Sequence, residues 1–530
     1  RHCRSLRGSP LRVRAWTSYT IRVRFRRGGD RTIATARRKK PGWTKMATST
    51  SGITSEGPGP SGFYSSERQV AIVGLLAFCG PGMFNALNGL GNAGSDSATV
   101  AALANGSLYC TFAVSGYFAG AAFNMVGPVP LFVIGGLTYA VYAGCIYFTS
   151  YHEWLAVVGG AALGVGAGLF WTAQGSLMMA YATPNTRGKL IALFWILFNL
   201  GGVAGGLLEF ALNYDSGDSA SANPTSYFTF IGIMLSGAVL APCVLADPAK
   251  VVKEDGSNVQ FEKADSPGKE IMAAIGALKD PFVQRSLLFF FASNWFYTYD
   301  FSGFNGSQFN IRTRGLNSAV FWGAQMLASW LFGKVADDNS LRIRERATKG
   351  LWIVVITLVF SLGPAIYDNF SGANGACAGR DDDHDDDHDD GGGARWKPWD
   401  KTHACELDFY KDAPAVFFPM VIYALLGAAD AVYQSFAYWL MSCAAGGSVR
   451  KTVQYSACYK GIQSLGAGIA WLADLNGSFS YRAQGIVALA MTVLACVPVA
   501  TTISELPEEP EKEQGGLYEP LSVNDQQDPA

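Results

Sequence analysis

Apolar runs of about 18–25 residues recur along the chain, separated by short polar connections. A bilayer's hydrocarbon core is roughly 30 Å thick, so a helix needs about 20 residues to cross it. The pattern predicts twelve membrane-crossing helices, at roughly 70–90, 99–122, 128–150, 154–181, 188–213, 227–246, 281–302, 318–336, 349–367, 415–438, 450–474 and 483–503. A polar linker, Asp247–Asp280, divides them six and six, and a second polar insert, Asp368–Pro414, separates the ninth from the tenth. The expected class is an all-α polytopic membrane protein with two six-helix lobes, 70–246 and 281–504, followed by a cytoplasmic tail at 505–530.

Lys and Arg mark the cytoplasmic side of membrane proteins. With the N-terminus inside, the inner connections carry Arg187 and Lys189, Lys250 to Lys279, Lys334 to Lys349, and Arg450 with Lys451, while Asp96, Glu153, Asp215 and Asp218 fall outside. Arg312 and Arg314 also fall outside, as exceptions, and both termini are expected in the cytoplasm of a plasma-membrane or endomembrane protein. The sequons at Asn305, Asn369 and Asn476 land on the outer side as candidate glycosylation sites, whereas Asn105 falls within a span. Residues 1–69 are polar and rich in Gly, Ser and Pro, the composition of a disordered region. The first forty, rich in Arg and Ser, resemble a transit peptide. Alternatively they lie upstream of a start at Met46.

Composition sharpens the class. Hydrophobic residues make up 49% and charged residues 16%, against roughly 25% charged in soluble domains. A net charge of −1 offers no basis for nucleic-acid binding, so the partner implied is the lipid bilayer. Most of the ten cysteines sit in apolar spans, with no CxxC pair. There is no GxxxxGK[ST] loop to cradle a nucleotide, and the five histidines, His2, His152, His384, His388 and His403, lie in polar termini or outer loops. No enzyme, cofactor or defined metal site is expected. The tract Asp381–Asp390 holds eight acids in ten residues, which repel and hydrate; weak, non-selective cation binding is its expected chemistry. Cys377 and Cys405 flank it and are a candidate disulfide in an oxidising compartment.

The halves repeat. Gly120-x3-Asn124 between the second and third spans matches Gly333-x3-Asp337 between the eighth and ninth. Gln174 followed by Arg187 matches Gln434 followed by Arg450. A six-helix unit duplicated in parallel is the plan of a two-lobed transporter.

Polar groups inside the spans are the candidate chemistry. Gly80-Pro81-Gly82 breaks the first span near its middle, since Pro81 lacks a backbone donor. Asn85 and Asn88, three apart, then face one direction. The break is either a substrate-facing kink or a packing device. Ionisable residues in a span cost about 2.5–3.5 kcal/mol on insertion scales and usually face the protein interior. Asp300, Asp430, Lys460 and Glu209 are such residues, Asp300 and Glu209 near the outer ends, where water can hydrate them. Asp430 and Gln434 share a helical face, as do Lys460, Ser456 and Gln463; Trp195, Asn199, Gly202 and Gly206 form a stripe on the fifth span. Lys460 is the expected partner of Asp430, either within a cavity or as a clasp between helices ten and eleven.

Gly333, Asp337 and the basic Arg342, Arg344 and Arg346 resemble the major facilitator signature and its gating motif. The first lobe departs from it, with Asn124 in place of the acid and Gly127-Pro128 where basic residues are expected, so no charge-based latch is expected there. More closely, the chain is similar to fungal members of the Unc-ninety-three-like family within that superfamily. The residues that carry this are Gly80-Pro81-Gly82-Met83-Phe84-Asn85-Ala86-Leu87-Asn88-Gly89-Leu90-Gly91, Asn294-Trp295-Phe296-Tyr297-Thr298-Tyr299 and Phe309-Asn310-x-Arg312-Thr313-Arg314-x-Leu316-Asn317, within a similarity spanning roughly 65–505. The resemblance implies that helices one, four, seven and ten line a central cavity, so that Asn85, Asn88, Gln174, Tyr297, Asp300, Asp430 and Gln434 point at it. The buried acids and the broken first helix favour alternating-access transport of a small solute or ion, with proton coupling through Asp430, paired with Lys460, as a rider on that reading. The resemblance equally admits a non-transporting membrane chaperone or channel regulator, with a protein partner, because such members exist in the family.

Overall fold

The computed structural model describes residues 62–90, 97–214, 224–259, 266–371, 407–475 and 479–506. Fourteen α-helices are described. In the first half they are α1 (Ser66–Ala77), α2 (Met83–Gly89), α3 (Ala98–Val126), α4 (Pro128–Tyr147), α5 (Trp154–Ala180), α6 (Arg187–Leu212) and α7 (Pro224–Val244). The rest are α8 (Pro267–Ala277), α9 (Pro281–Ala292), α10 (Ile311–Ala336), α11 (Ile343–Ser371), α12 (Ala413–Ala444), α13 (Val449–Asp474) and α14 (Tyr481–Ile503). Their boundaries carry familiar chemistry. Ser65, Ser97, Ser266, Asp280, Asn310, Ser448 and Ser480 cap helix N-termini through side-chain oxygens. Gly127, at φ 77°, ends α3 in a backbone conformation that favours glycine, and Pro128 opens α4.

Among the described residues, eight segments are long and apolar enough to span a bilayer: the α1–α2 rod, α4, α5, α6, α7, α11, α12 and α14. Helices α3, α10 and α13 match them in length but carry more polar residues, because they face protein on several sides. The surface is inverted relative to a soluble protein: Leu75, Val141, Val239, Phe360 and Leu494 are exposed, while Gln174, Asn199, Gln325, Asp430 and Lys460 are buried. This is an integral membrane protein. Successive helices run back and forth, so one end of the bundle holds the connection between α7 and α9 (the linker end) and the other is the far end.

Two seams join the halves. Helix α6 packs on α10, and α3 packs on α13. These pairs are the fifth span with the eighth and the second with the eleventh, which duplication makes equivalent. Backbones approach closely there: a Cβ on Gly206 would stand 2.7 Å from the Ala319 nitrogen, and one on Gly461 would stand 3.0 Å from the Ala113 carbonyl.

The structure differs from the sequence expectation at several points. Helix α1 starts at Ser66, and Gln69 is held by the Phe63 carbonyl and the Ala246 amide, so 62–69 belongs to the fold. The seventh span is discontinuous. It is α-helical to Ala292, passes through turns, and continues as a π-helical stretch, Tyr299–Gly306. The eighth begins at Ile311, which places Arg312 and Arg314 in the first turn of α10. The linker contains α8. Asn305 is buried, donating to the Gly89 carbonyl at 2.8 Å and accepting from Asn317 at 2.9 Å, which leaves its amide no access to a glycosylating enzyme. Asp300 and Glu209 are also fully buried. Cys377, Cys405, Asn476, the tract 381–390 and the side chain of Asn369 lie outside the described residues.

Candidate functional site between the lobes

The first span bends where Pro81 removes a backbone donor. Residues Phe78–Gly82 form a π-helical turn, and Gly82 lies against Gly201 of α6. Beside this turn is a cavity between the halves. From the first half it is lined by Pro81, Phe84, Asn85, Tyr109, Phe112, Tyr139, Trp171, Trp195 and Phe198; from the second by Asn294, Tyr297, Gln434, Lys460 and Gln463. To the centre of a water-sized sphere it offers about 50 Å³, room for a few waters. Aromatic rings make up about half of its wall, Leu108, Leu163 and Ala167 add aliphatic surface, and Lys460 is the one charged residue among those lining it.

A continuous chain of hydrogen bonds runs behind this wall. Asn199 donates to Gln325 at 3.1 Å, and Gln325 donates to Asp430 at 2.8 Å. Tyr297 donates to the same carboxylate oxygen at 3.0 Å, and Gln434 donates to the other at 2.7 Å. Gln463 donates to Gln434 at 3.1 Å, and the Lys460 ammonium donates to Gln463 Oε1 at 2.8 Å. The Gln463 amide nitrogen also lies within hydrogen-bond distance of Ser293, Asn294 and Tyr459. With two hydrogens for four acceptors, it can satisfy only some of them at once.

Asp430 and Lys460 thus belong to one network, but the expected direct ion pair is absent from it: Gln434 and Gln463 stand between them. The ammonium instead lies over three rings, 4.6 Å from the centroid of Trp171, 4.9 Å from Tyr459 and 5.3 Å from Tyr438.

The other candidates sort by position. Asn85 lines the cavity and makes no side-chain hydrogen bond among the described residues, whereas Asn88 turns away, accepting from Asn105 at 3.0 Å. Asn88, three residues further along α2, bonds to α3 and is not among the residues lining the cavity. Gln174 accepts from Tyr438 at 3.2 Å, bridging α5 and α12, and Asn199 serves the α6–α10 seam. Asp300 is the second residue of the π-helical stretch, and neither of its carboxylate oxygens has a hydrogen-bond partner among the described residues. Sequence reasoning missed Gln325, Trp171 and the tyrosine pair Tyr438 and Tyr459. Gln325 is a lone amide in the apolar part of its helix, which is a usable signal; the aromatic residues look like ordinary lipid-facing or core positions.

A model of the Major Facilitator Superfamily matches residues 70–378. UNC93-like protein 1 of Arabidopsis thaliana is 38% identical over 422 residues, covering 78% of this chain and 84% of that protein. The chain belongs to the UNC93-like branch of the Major Facilitator Superfamily. UNC93-like protein C922.05c of Schizosaccharomyces pombe is 35% identical, over 77% of each chain. Among solved structures, a bacterial homologue of the iron transporter ferroportin in an outward-facing state superposes with a TM-score of 0.54 at 12% identity, covering 83% of this chain and 99% of that one. FucP, a superfamily transporter in the outward conformation, superposes with a TM-score of 0.51 at 11% identity, covering 81% and 96%. At these identities the likeness shows a transporter-type fold.

The superfamily signature has a clear physical role at the linker end. The Asp337 carboxylate accepts from the backbone amides of Gly188 at 2.7 Å and Lys189 at 2.6 Å, capping α6 from the opposite half. Gly333 lets the backbones meet: a Cβ there would stand 2.9 Å from the Gly188 carbonyl. Burial pushes the Asp337 carboxyl up, while the two amides, Arg346 and Arg187 oppose that shift. The nearby base is the buried Arg346, not Arg342, which is exposed and uses its backbone N–H on Glu345. Helix α11 begins at Ile343, and Arg346 is the first base on its inward face, after the buried Ile343.

At the equivalent seam of the first half, Asn124 stands where the acid is expected, yet a carboxylate is present. Glu270 of α8 accepts from Asn124 at 2.8 Å and from Arg450 at 3.2 Å. The linker supplies the charge that the signature lacks. The expectation that the first lobe has no charged latch is therefore corrected, because α8 folds back onto α3 and α13, with Tyr117 donating to the Ala274 carbonyl at 2.5 Å.

Proposed function

We propose that the protein is a secondary transporter that moves a small solute through the central cavity by alternating access, with the linker end and both termini in the cytoplasm and Asp430 as the proton-carrying group. The observation that supports this most is the hydrogen-bonded chain from Asn199 to Lys460, which crosses between the halves beside a cavity lined by both. A carboxyl held by a hydroxyl and two amides, with no cation in contact, has its charge changed by a single proton. Protonation exchanges acceptance at both oxygens for donation at one, and Tyr297, Gln325 and Gln434 must rearrange in response. Because Gln325 reaches Asn199 across the seam, that rearrangement bears on how the halves meet. The Lys/Arg distribution of the connections supports the orientation.

Purified protein in proteoliposomes tests the reading. Solutes are screened for uptake under an inward proton gradient and for exchange without one. The expected result is gradient-dependent accumulation in the wild type and exchange without accumulation in Asp430→Asn. Exchange and accumulation both intact in Asp430→Asn would remove the proton role. No movement of any solute, with a co-purifying membrane protein whose function depends on this chain, would favour a chaperone or channel regulator.

A further inference from the structure

We propose that the central cavity selects small organic anions with a flat apolar body, and that the Lys460 ammonium receives the anionic group; the proposal rests on the transport reading above. The cavity wall carries one cation and no carboxylate among its lining residues. Asp430 is shielded behind Gln434 and Tyr297 and spends its oxygens on three donors. The charge a solute meets on entering is therefore positive.

Lys460 is built to keep a donor available. An ammonium has three N–H groups, and among the described residues only Gln463 Oε1 stands at hydrogen-bond distance from it, at 2.8 Å. Trp171, Tyr438 and Tyr459 surround it with ring faces that stabilise a cation and accept no strong hydrogen bond. A buried ammonium with donors to spare is incomplete, and an oxyanion completes it. Gln463 is the movable neighbour. When an anion takes the ammonium, its amide can turn to Ser293, Asn294 or Tyr459, all within 2.8–3.1 Å of its nitrogen. Asn85, whose amide has no partner among the described residues, and Asn294 offer further donors from opposite halves.

The remaining wall sets the rest of the ligand. Trp171, Trp195, Phe198 and Phe112 present flat apolar surfaces that stack on a planar group and give little to a sugar or a hydrated metal ion. At its present size the cavity has room only for water-sized molecules, and a solute of this kind enters when the lobes part.

The test uses three probes of nearly equal shape, benzenesulfonate, benzenesulfonamide and benzylammonium, with benzoate as a second anion. Binding to the full-length protein is read by Trp fluorescence and by thermal stabilisation. Both anions are expected to bind saturably to the wild type, at least about tenfold more tightly than the neutral and cationic probes. Lys460→Gln should abolish that preference, bringing the anions to the affinity of the sulfonamide. Equal binding of all probes, preference for benzylammonium, absence of binding by either anion, or an unchanged preference in Lys460→Gln would each overturn the proposal. If the variant fails to fold, the ranking on the wild type decides alone. Exchange assays separate this proposal from the transport reading. Anion binding without exchange across vesicles leaves the site and removes transport; exchange confined to neutral or cationic solutes leaves transport and removes the site.

Discussion

The Asn124 side-chain amide donates to the Glu270 carboxylate across 2.8 Å, and this contact restores a symmetry that the sequence breaks. On one seam Asp337 of α10 holds the N-terminus of α6; on the other, a residue from the linker faces the start of α13. A substitution in the duplicated unit is offset by a group from outside it. Glu270 is well buried, with its side chain 8% exposed, whereas Arg450 is 48% exposed, so most of the value lies in the bond from Asn124 and less in the screened ion pair.

Glu270→Ala should therefore lower stability by about 1 kcal/mol, chiefly because it removes the acceptor of the half-buried Asn124 amide. Glu270→Gln should retain part of that. Asn124→Asp, which rebuilds the signature acid, should destabilise the protein, since two carboxylates would then share one space. Thermal unfolding in detergent measures all three; a Glu270→Ala protein as stable as the wild type would show that α8 is not a latch.

Gly188→Ala should loosen the other seam. A Cβ at that position would stand 2.5 Å from the Gly333 carbonyl oxygen, a backbone atom that moves only if the helices separate. Cys443 is a natural reporter, buried beside the Arg187 guanidinium at 3.5 Å. In a variant retaining Cys443 as its only cysteine, Gly188→Ala should speed reaction with a membrane-impermeant maleimide from the linker side. Asp337→Ala should do the same and cost about 1 kcal/mol through the lost helix cap. Unchanged labelling in both would show that this seam does not close the linker end.

The twelve-span layout and the broken first helix were legible because their causes are local: run length, and a proline with no N–H. The break after Ala292 was not, since Asn294-Trp295-Phe296-Tyr297 reads as an apolar run and contains no proline. What bends it is tertiary. Asn294 and Ser293 are drawn to Gln463, and Tyr297 to Asp430. Asp430 and Lys460 could be picked out because a charge in a span is conspicuous. Their separation by two amides could not, because a span map gives helix neighbours without rotation or height. The buried Asn305 illustrates the same limit, as its sequon is visible and its burial is not. Glu270 looked like one more charge in a polar linker, and nothing local marks it as the partner of a residue 146 positions away.

At the far end, Arg312 and Asp408 form a bidentate ion pair with side chains 12% and 3% exposed, and Arg312 also donates to the Tyr214 carbonyl at 2.9 Å. Arg312→Gln should cost about 1–3 kcal/mol by leaving the Asp408 carboxylate with the Tyr410 amide but no cation. Burial pushes the Asp408 carboxyl up, but Arg312 and the Tyr410 amide outweigh it and hold the group below its ordinary range. A depressed carboxyl stabilises the fold fully above its unfolded pKa, roughly 3.9, and that contribution is lost as the pH falls through the lower folded value. The difference in melting temperature between the wild type and Arg312→Gln should therefore be largest near neutrality and shrink below about pH 4. A difference independent of pH would mean that Arg312 acts through packing alone.

Lys460 and Gln463 should be coupled more strongly than Lys460 and Asp430. Lys460 donates directly to Gln463 at 2.8 Å, whereas the hydrogen-bonded path from it to Asp430 runs through Gln463 and then Gln434. Each amide in that series has other partners: Gln463 has Ser293, Asn294 and Tyr459, and Gln434 has the Tyr297 hydroxyl at 3.1 Å. Removing Lys460 therefore allows Gln463 to turn, and the carboxylate loses the field of the cation but none of its own hydrogen bonds. Double-mutant cycles on thermal stability make the comparison. Lys460→Met with Gln463→Leu should give an interaction energy of about 1–3 kcal/mol, typical of contacting groups in a network. Lys460→Met with Asp430→Asn should give a smaller interaction energy, about 0.5–1 kcal/mol, because the two groups share a network without touching. The pairing of Asp430→Asn with Gln434→Leu should again be strongly non-additive, since those two residues touch at 2.7 Å. A large Lys460–Asp430 coupling beside a small Lys460–Gln463 one would mean that the charges meet directly, and the intervening amides would lose the role assigned to them.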